Sequence, residues 1–206
     1  MCDRFSLEFI EQLKILRDYV SGNSFSFIEK QMGKIDELYR FLEEKNSVHL
    51  YGKGRSGSIA VSLALRLSHF GYKTYFLGDV IKEPFTKDDL IILFSGSGDT
   101  SEVVDIAKKA KSIGSKVVAL TSFKNSSLIK YSDLLFLLPG GLEKGKGWSY
   151  IEAQLSNRAS SFYGGGEFEF NAYIFQEALI NSIGRFKNIS DSEVVKRHER
   201  DETLKD

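Results

Sequence analysis

The chain has 206 residues with 28 acidic and 28 basic side chains, so no overall field draws it to nucleic acid, and its length suits one domain with a sizeable core. Its one cysteine, Cys2, excludes an internal disulfide framework and a cysteine metal cluster. No segment reads as a membrane span, and the charged N-terminus lacks the apolar centre of a signal peptide, so a cytoplasmic location without a membrane partner is expected.

Two amphipathic helical patterns open the chain, Phe5 to Val20 and Ser24 to Lys45. Five short apolar strands follow, near 47–51, 73–77, 89–94, 116–121 and 133–138. Helical patterns near 56–70, 100–113 and 125–131 separate them, and Gly71 and Gly114 stand where helix stops belong. Strands that alternate with helices predict an α/β fold with a parallel sheet covered on both faces. The basic run at 108–111 lies on a helix beside acidic residues and reads as a solvated face. Past Pro139 a glycine- and serine-rich stretch runs to Gly166. An apolar helix from Phe168 to Phe186 and a charged tail helix from Asp191 close the chain.

The segment from Asp89 to Glu102, DLIILFSGSGDTSE, carries the strongest functional signal. A buried strand runs into Ser95, Gly96, Ser97 and Gly98, and a helix starts near Thr100. The hydroxyls of Ser95, Ser97 and Thr100, the Gly96 and Gly98 amides and the helix N-terminus together suit an anion. This loop holds no Lys or Arg, which fits a compact phosphate monoester better than a triphosphate. The plain alternative is a tight turn capped by Thr100.

A second glycine loop lies upstream: Gly52-Lys53-Gly54-Arg55-Ser56-Gly57 between a strand and a helix. By itself it matches the dinucleotide fingerprint, with Asp79 about 20 residues beyond. The short chain and the second loop argue against that reading. Gly140 to Gly147 imitates a P-loop but puts Gly147 where the magnesium-binding hydroxyl must stand; it reads as a mobile loop. Both glycine loops leave C-terminal strand ends and so can converge on one pocket.

These residues resemble the sugar isomerase domain family, whose phosphosugar loop reads SGSG(E/D)T. GKGRSGSIAVSLALRLSHFGY, SGSGDTSEVVDIAKKAKSIGSKVVALTS, SYIEAQL, GEFE at Gly166 to Glu169 and KRHERDE are similar to segments of its 6-phospho-3-hexuloisomerases. The resemblance spans roughly Ser24 to Glu202. It implies a flavodoxin-like, doubly wound, five-stranded parallel sheet over residues 1–206, with N-terminal helices (about 5–45) and a helical tail (about 167–202) packed on it. One departure stands out. The family's proline-containing lead into its GTLFE motif is replaced by Phe162 to Gly166, with Glu167 in place of Leu.

The implied reaction moves a carbonyl between C3 and C2 of a hexulose 6-phosphate and needs neither metal nor other cofactor. Its ligand is a small sugar phosphate held by Gly54, Arg55, Ser56, Ser95, Gly96, Ser97, Gly98 and Thr100. The resemblance implies Glu169 as the catalytic base, although a carboxylate there also suits a helix N-terminus. It makes His69 and His198 further catalytic candidates. His69 alone would read as a helix C-terminal or core histidine, and His198 as solvent-exposed unless a neighbouring subunit receives it. Arg55 reads as a contact to ligand or to a site partner, and His49 as structural.

Two other functions remain compatible. One is a different phosphosugar aldose–ketose isomerase, of the arabinose 5-phosphate type. The other is a non-catalytic phosphosugar-binding protein, although a DNA-binding helical domain has little room in the first 45 residues. The family suggests a homo-oligomer, a tetramer or a dimer. The apolar stripes of the two opening helices, including Leu7, Phe9, Ile10 and Leu13, suggest the same.

Overall fold

A computed structural model describes residues 2–22, 29–141, 162 and 166–202. The expected helix start at 24–28, most of the 140–147 loop, the SYIEAQL segment and positions 163–165 lie outside the described residues.

The described elements run α1 (Cys2–Gly22), α2 (Met32–Glu44), β1 (Val48–Gly52), α3 (Arg55–His69), β2 (Thr74–Phe76), β3 (Leu90–Phe94), α4 (Ser101–Ile113), β4 (Lys116–Thr121), a 3-10 turn (Ser127–Tyr131), β5 (Leu134–Leu137), α5 (Glu167–Phe186) and α6 (Asp191–Glu202). The five strands form one sheet in the order β2-β1-β3-β4-β5, every pairing parallel. This is the parallel sheet that the strand and helix alternation predicts, in the doubly wound, flavodoxin-like form that the resemblance implies.

Every residue of β3 is buried, and the strand alternation splits them between two cores. Leu90, Ile92 and Phe94 face one layer with α2, α3 and α5, through Leu38, Leu63, Leu67, Phe168, Phe175 and Ile180. Ile91 and Leu93 face the other, against Val103, Ala107 and Ala110 of α4 and Leu128 of the 3-10 turn. A strand buried on both faces reads as a continuous apolar run, which is why LIILF stood out. The segment expected as a helix at 125–131 is this 3-10 turn. It is one short turn, pinned where Leu128 N–H donates to the Gly98 carbonyl.

The sheet order reverses between β1 and β3, since β2 lies to one side of β1 and the later strands to the other. The crevice at such a reversal, beyond the C-terminal strand ends, is where ligands bind in open α/β sheets. The two glycine loops leave β1 and β3 at that crevice.

The opposite end of the same two strands is locked by a polar cluster. Ser47 Oγ donates to Asp89 Oδ1 at 2.6 Å and lies 3.0 Å from His49 Nε2. The hydroxyl's one proton goes to Asp89, so Nε2–H donates to Ser47 and Nδ1 carries the lone pair, with no hydrogen-bond partner. Burial pushes the His49 imidazole below its ordinary range, against the pull of Asp89. Burial also works to raise the Asp89 carboxyl, but hydrogen bonds from Ser47 and Thr86 outweigh it and hold the group below the usual range. His49 is structural, as its strand position suggests.

Candidate functional site

A cavity of about 420 Å³ opens at the reversal point, within the size range of small-molecule sites. Four chain segments build it. The β1–α3 loop supplies Lys53 and Gly54 and passes into Arg55 and Ser56; the β3–α4 loop supplies Ser95, Gly96, Ser97, Thr100 and Ser101. Gly140 and Gly141 beyond β5, and Phe168 and Glu169 in the first turn of α5, complete the wall.

The serine loop is folded against its own backbone. Ser95 Oγ donates to Thr100 Oγ1 at 3.2 Å and accepts from Gly98 N–H at 3.1 Å. Asp99 N–H donates to Ser97 Oγ at 3.3 Å. The Gly96 carbonyl accepts from Ser122 N–H and the Gly98 carbonyl from Leu128 N–H, and neither donor lines the cavity. The N-terminus of α4 and the Ser97 and Thr100 residues stand at the cavity wall as uncharged groups suited to an anion, while the Ser95 hydroxyl proton is given to Thr100.

Gly98 departs from the expected role. Its N–H is engaged by Ser95, and it does not line the cavity. Its φ of +68° is the left-handed conformation that glycine adopts without cost. A Cβ there would lie 2.2 Å from Ser126 Oγ and 2.7 Å from Thr121 Oγ1. Gly98 shapes the turn and lets it seat on β4 and does not offer its amide.

Glu169 is held at the junction of the two loops. Ser56 Oγ donates to its Oε1 at 2.9 Å, and Arg55 Nε lies 3.6 Å from its Oε2. Oε2 is buried and has no hydrogen bond in the structure. Ser56, expected at a phosphate, is thus turned to the carboxylate, and Arg55 meets a site partner. A carboxylate on a residue that lines the cavity, with one oxygen fixed by a neutral donor, is a group that can accept a proton from a bound molecule.

The N-terminus of α5 is anchored in turn by α1. Tyr19 Oη donates to Glu167 Oε1 at 2.8 Å and accepts from Asn171 Nδ2 at 3.0 Å. Phe162 and Phe170 stand edge-on to the Tyr19 ring. Glu167, which stands where the resemblance would put Leu, therefore takes part in tying the first helix to the site.

Within the chain the two histidines lie away from this cavity; His198 is expected at a site only through a neighbouring subunit, and His69 stands at a helix end, as its plainer reading has it. His69 ends α3, while Arg55 and Ser56 begin it; at 1.5 Å per residue the two ends are about 20 Å apart. Its ring lies 4.7 Å from that of His198, and Arg197 donates to the His69 carbonyl. The tail helix thus packs on the far end of α3. Asp79, the acidic residue of the dinucleotide reading, is exposed and lines no part of the cavity.

Sequence reasoning missed Lys53, Phe94, Ser101, Gly140, Gly141 and Phe168 as cavity residues. Lys53 was visible as the variable position of the first glycine loop. Gly140 and Gly141 were read as the start of a mobile loop, but they form part of the cavity wall. Among the described residues no group of His, Cys, Asp and Glu is gathered to hold a metal ion, and no helix is long and apolar enough to cross a membrane.

The family model described as SIS domain matches residues 41–162. A 3-hexulose-6-phosphate isomerase of Methanocaldococcus jannaschii is 33% identical over 186 residues, covering 88% of this chain and 94% of its own length. One from Bacillus subtilis is 32% identical over 176 residues, with 85% and 89% covered. Among solved structures, a protein from Methanococcus jannaschii for which 3-hexulose-6-phosphate isomerase function was inferred superposes with a TM-score of 0.66 at 30% identity, covering 91% and 93%. A further protein, from Escherichia coli CFT073 and solved in complex with arabinose 5-phosphate, superposes with a TM-score of 0.71 at 21% identity, covering 96% and 100%; at that identity the likeness is one of fold.

Proposed function

Because the chain belongs to the SIS domain family, whose relatives here include phosphosugar isomerases, we propose that it interconverts D-arabino-hex-3-ulose 6-phosphate and fructose 6-phosphate. The observation that carries this reading is one cavity shared by the serine loop and a Glu169 carboxylate held by Ser56. The phosphate binds at Ser95, Ser97, Thr100 and the N-terminus of α4. Glu169 removes the proton from C2 of the hex-3-ulose, next to the C3 carbonyl. The electron pair forms a C2–C3 enediol as the C3 oxygen gains a proton. Return of a proton to C3, with loss of the C2 hydroxyl proton, leaves the carbonyl at C2. Atoms and electrons balance without a cofactor. Arg55 lies beside Glu169 and is suited to steady the oxygen on which charge develops.

The whole chain acts as one cytoplasmic domain in this reading and assembles as a homo-oligomer. Leu7, Phe9, Ile10 and Leu13 of α1 are each about half or more exposed and supply an apolar surface for that assembly. Any role for His69 or His198 in the chemistry requires a neighbouring copy, because both sit at the far end of α3.

The test is an isomerase assay over hexulose, pentose and heptose phosphates, with formation of fructose 6-phosphate followed by coupled enzymes. Turnover of the hex-3-ulose ester is expected to exceed that of the others. Turnover of arabinose 5-phosphate in its place would assign the chain to that isomerase type. Binding without turnover of any ester would make it a phosphosugar-binding protein.

A further inference from the structure

The segments that follow β1 and β3 are joined beside the cavity by an ion pair. Lys53 stands in the β1–α3 loop and lines the cavity; Glu102 lies in the first turn of α4. Lys53 Nζ and Glu102 Oε2 are 2.5 Å apart, and the side chains are 60% and 49% exposed. A pair this exposed adds little to folding, a factor of about five or less in an equilibrium. Its position is the informative part.

We infer that Lys53 is the cation that meets the ligand's phosphate, and that Glu102 holds it in reserve at the rim until the ligand arrives. The inference rests on the phosphosugar reading of the cavity and adds a residue to it. Of the described residues lining the cavity, two are cationic, Lys53 and Arg55. Arg55 lies beside the Glu169 carboxylate, at the reacting end of the ligand in this reading, so the countercharge for a phosphate dianion falls to Lys53. The serine loop itself offers neutral donors only. Glu102 sits on the same helix N-terminus that would receive the dianion, and its carboxylate repels one unless Lys53 lies between them. The hydrogen bond to Glu102 keeps the ammonium charged well into alkaline pH, its range raised above that of an ordinary lysine. Gly54 follows Lys53 with a φ of +60° and nothing within 4 Å of where a Cβ would stand. The Lys53 side chain is 60% exposed and its residue already lines the cavity, so the stem has room to swing from Glu102 toward it.

This arrangement makes the two partners act in opposite directions on binding, which a merely structural strap would not do. The experiment is calorimetric titration of the full chain at low ionic strength with fructose 6-phosphate and, separately, inorganic phosphate; fructose serves as the uncharged control. Lys53→Ala is expected to weaken binding of both anions about three- to tenfold, as for an exposed charge-assisted contact. Glu102→Gln is expected to strengthen it about two- to fivefold by freeing the ammonium. In the Lys53→Ala background the Glu102→Gln gain should shrink to the small relief of carboxylate repulsion, because Glu102 acts mainly through Lys53. Equal losses in both single variants, changes within twofold in both, or a Glu102→Gln gain as large without Lys53 as with it would each overturn the inference while leaving the phosphosugar reading intact. Failure of the unsubstituted chain to bind either anion would overturn both.

Discussion

Replacing Glu169 by Gln separates its chemical role from its structural one. The amide keeps the side-chain shape, and its Oε1 still accepts from Ser56 Oγ, now at 2.9 Å. What is lost is charge. One loss is the favourable placement of a carboxylate at the N-terminus of α5, worth about 0.3–1 kcal/mol. The other is the 3.6 Å pairing with an Arg55 that is 44% exposed, worth about 0–1 kcal/mol after screening. Together they predict a destabilisation of about 1 kcal/mol, which for a chain of this size lowers the melting temperature by about 2–4 °C. Loss of a general base removes about 10²- to 10⁴-fold in rate, or about 2.7–5.5 kcal/mol of barrier. The rate effect should therefore exceed the stability effect severalfold. Thermal unfolding by circular dichroism and the coupled isomerase assay on one preparation measure both. Turnover within tenfold of the unsubstituted protein would refute the assignment of Glu169 as the base. A melting temperature lowered by more than about 10 °C would show that the carboxylate serves the fold first.

Ser97→Ala should weaken fructose 6-phosphate binding by about 1–3 kcal/mol, the usual cost of removing a donor to a charged group, and leave fructose binding unchanged; equal effects on both ligands would move the phosphate elsewhere. Stability should fall as pH drops from 7. Below about 6.5 the unfolded chain protonates a histidine that stays neutral as buried His49, and below about 4 it protonates an aspartate that stays ionised as Asp89. Each group contributes at most about 1.4 kcal/mol per pH unit, and His49→Gln should flatten the dependence between pH 7 and 5 in urea unfolding; an unaltered slope there would exclude His49 as its source. Tyr19→Phe breaks the bond to Glu167 and should cost about 1–2 kcal/mol, with faster amide exchange in α1; unchanged exchange would mean that the aromatic contacts alone dock that helix.

The strands were legible because burial leaves a direct trace in composition. The run expected at 116–121 is β4 with the same limits, and the one at 89–94 is β3 shorter by Asp89. Asp89 is buried too, but as the acceptor for Ser47 and Thr86, a role that no apolar pattern encodes. The serine loop was legible in its residues and less so in its geometry. That Gly98 would spend its amide on Ser95 depends on a turn that folds back on itself, which sequence spacing does not specify. His69 illustrates a different limit. A helix that begins at the site and runs about 20 Å away carries residues close in sequence to a motif and far from it in space. Lys53 went unnoticed because its meaning lies in Glu102, a partner 49 residues later in the first turn of α4.

The floor of the cavity also constrains how this chain can change over generations. A methyl group on Gly141 would lie 2.1 Å from the Gly96 carbonyl oxygen, and one on Gly96 would lie 3.1 Å from the Phe168 ring. Three segments distant in sequence are thus interlocked at their narrowest points, and the first clash is with backbone that has no rotamer to yield. A substitution at Gly141 has no single compensating partner, so such variants should be removed by selection before any new specificity can appear. Residues at the rim, such as Lys53 and Glu102, meet no such barrier. Divergence toward other phosphorylated sugars is therefore expected to proceed through the rim, one tolerated step at a time, over a floor that stays as it is.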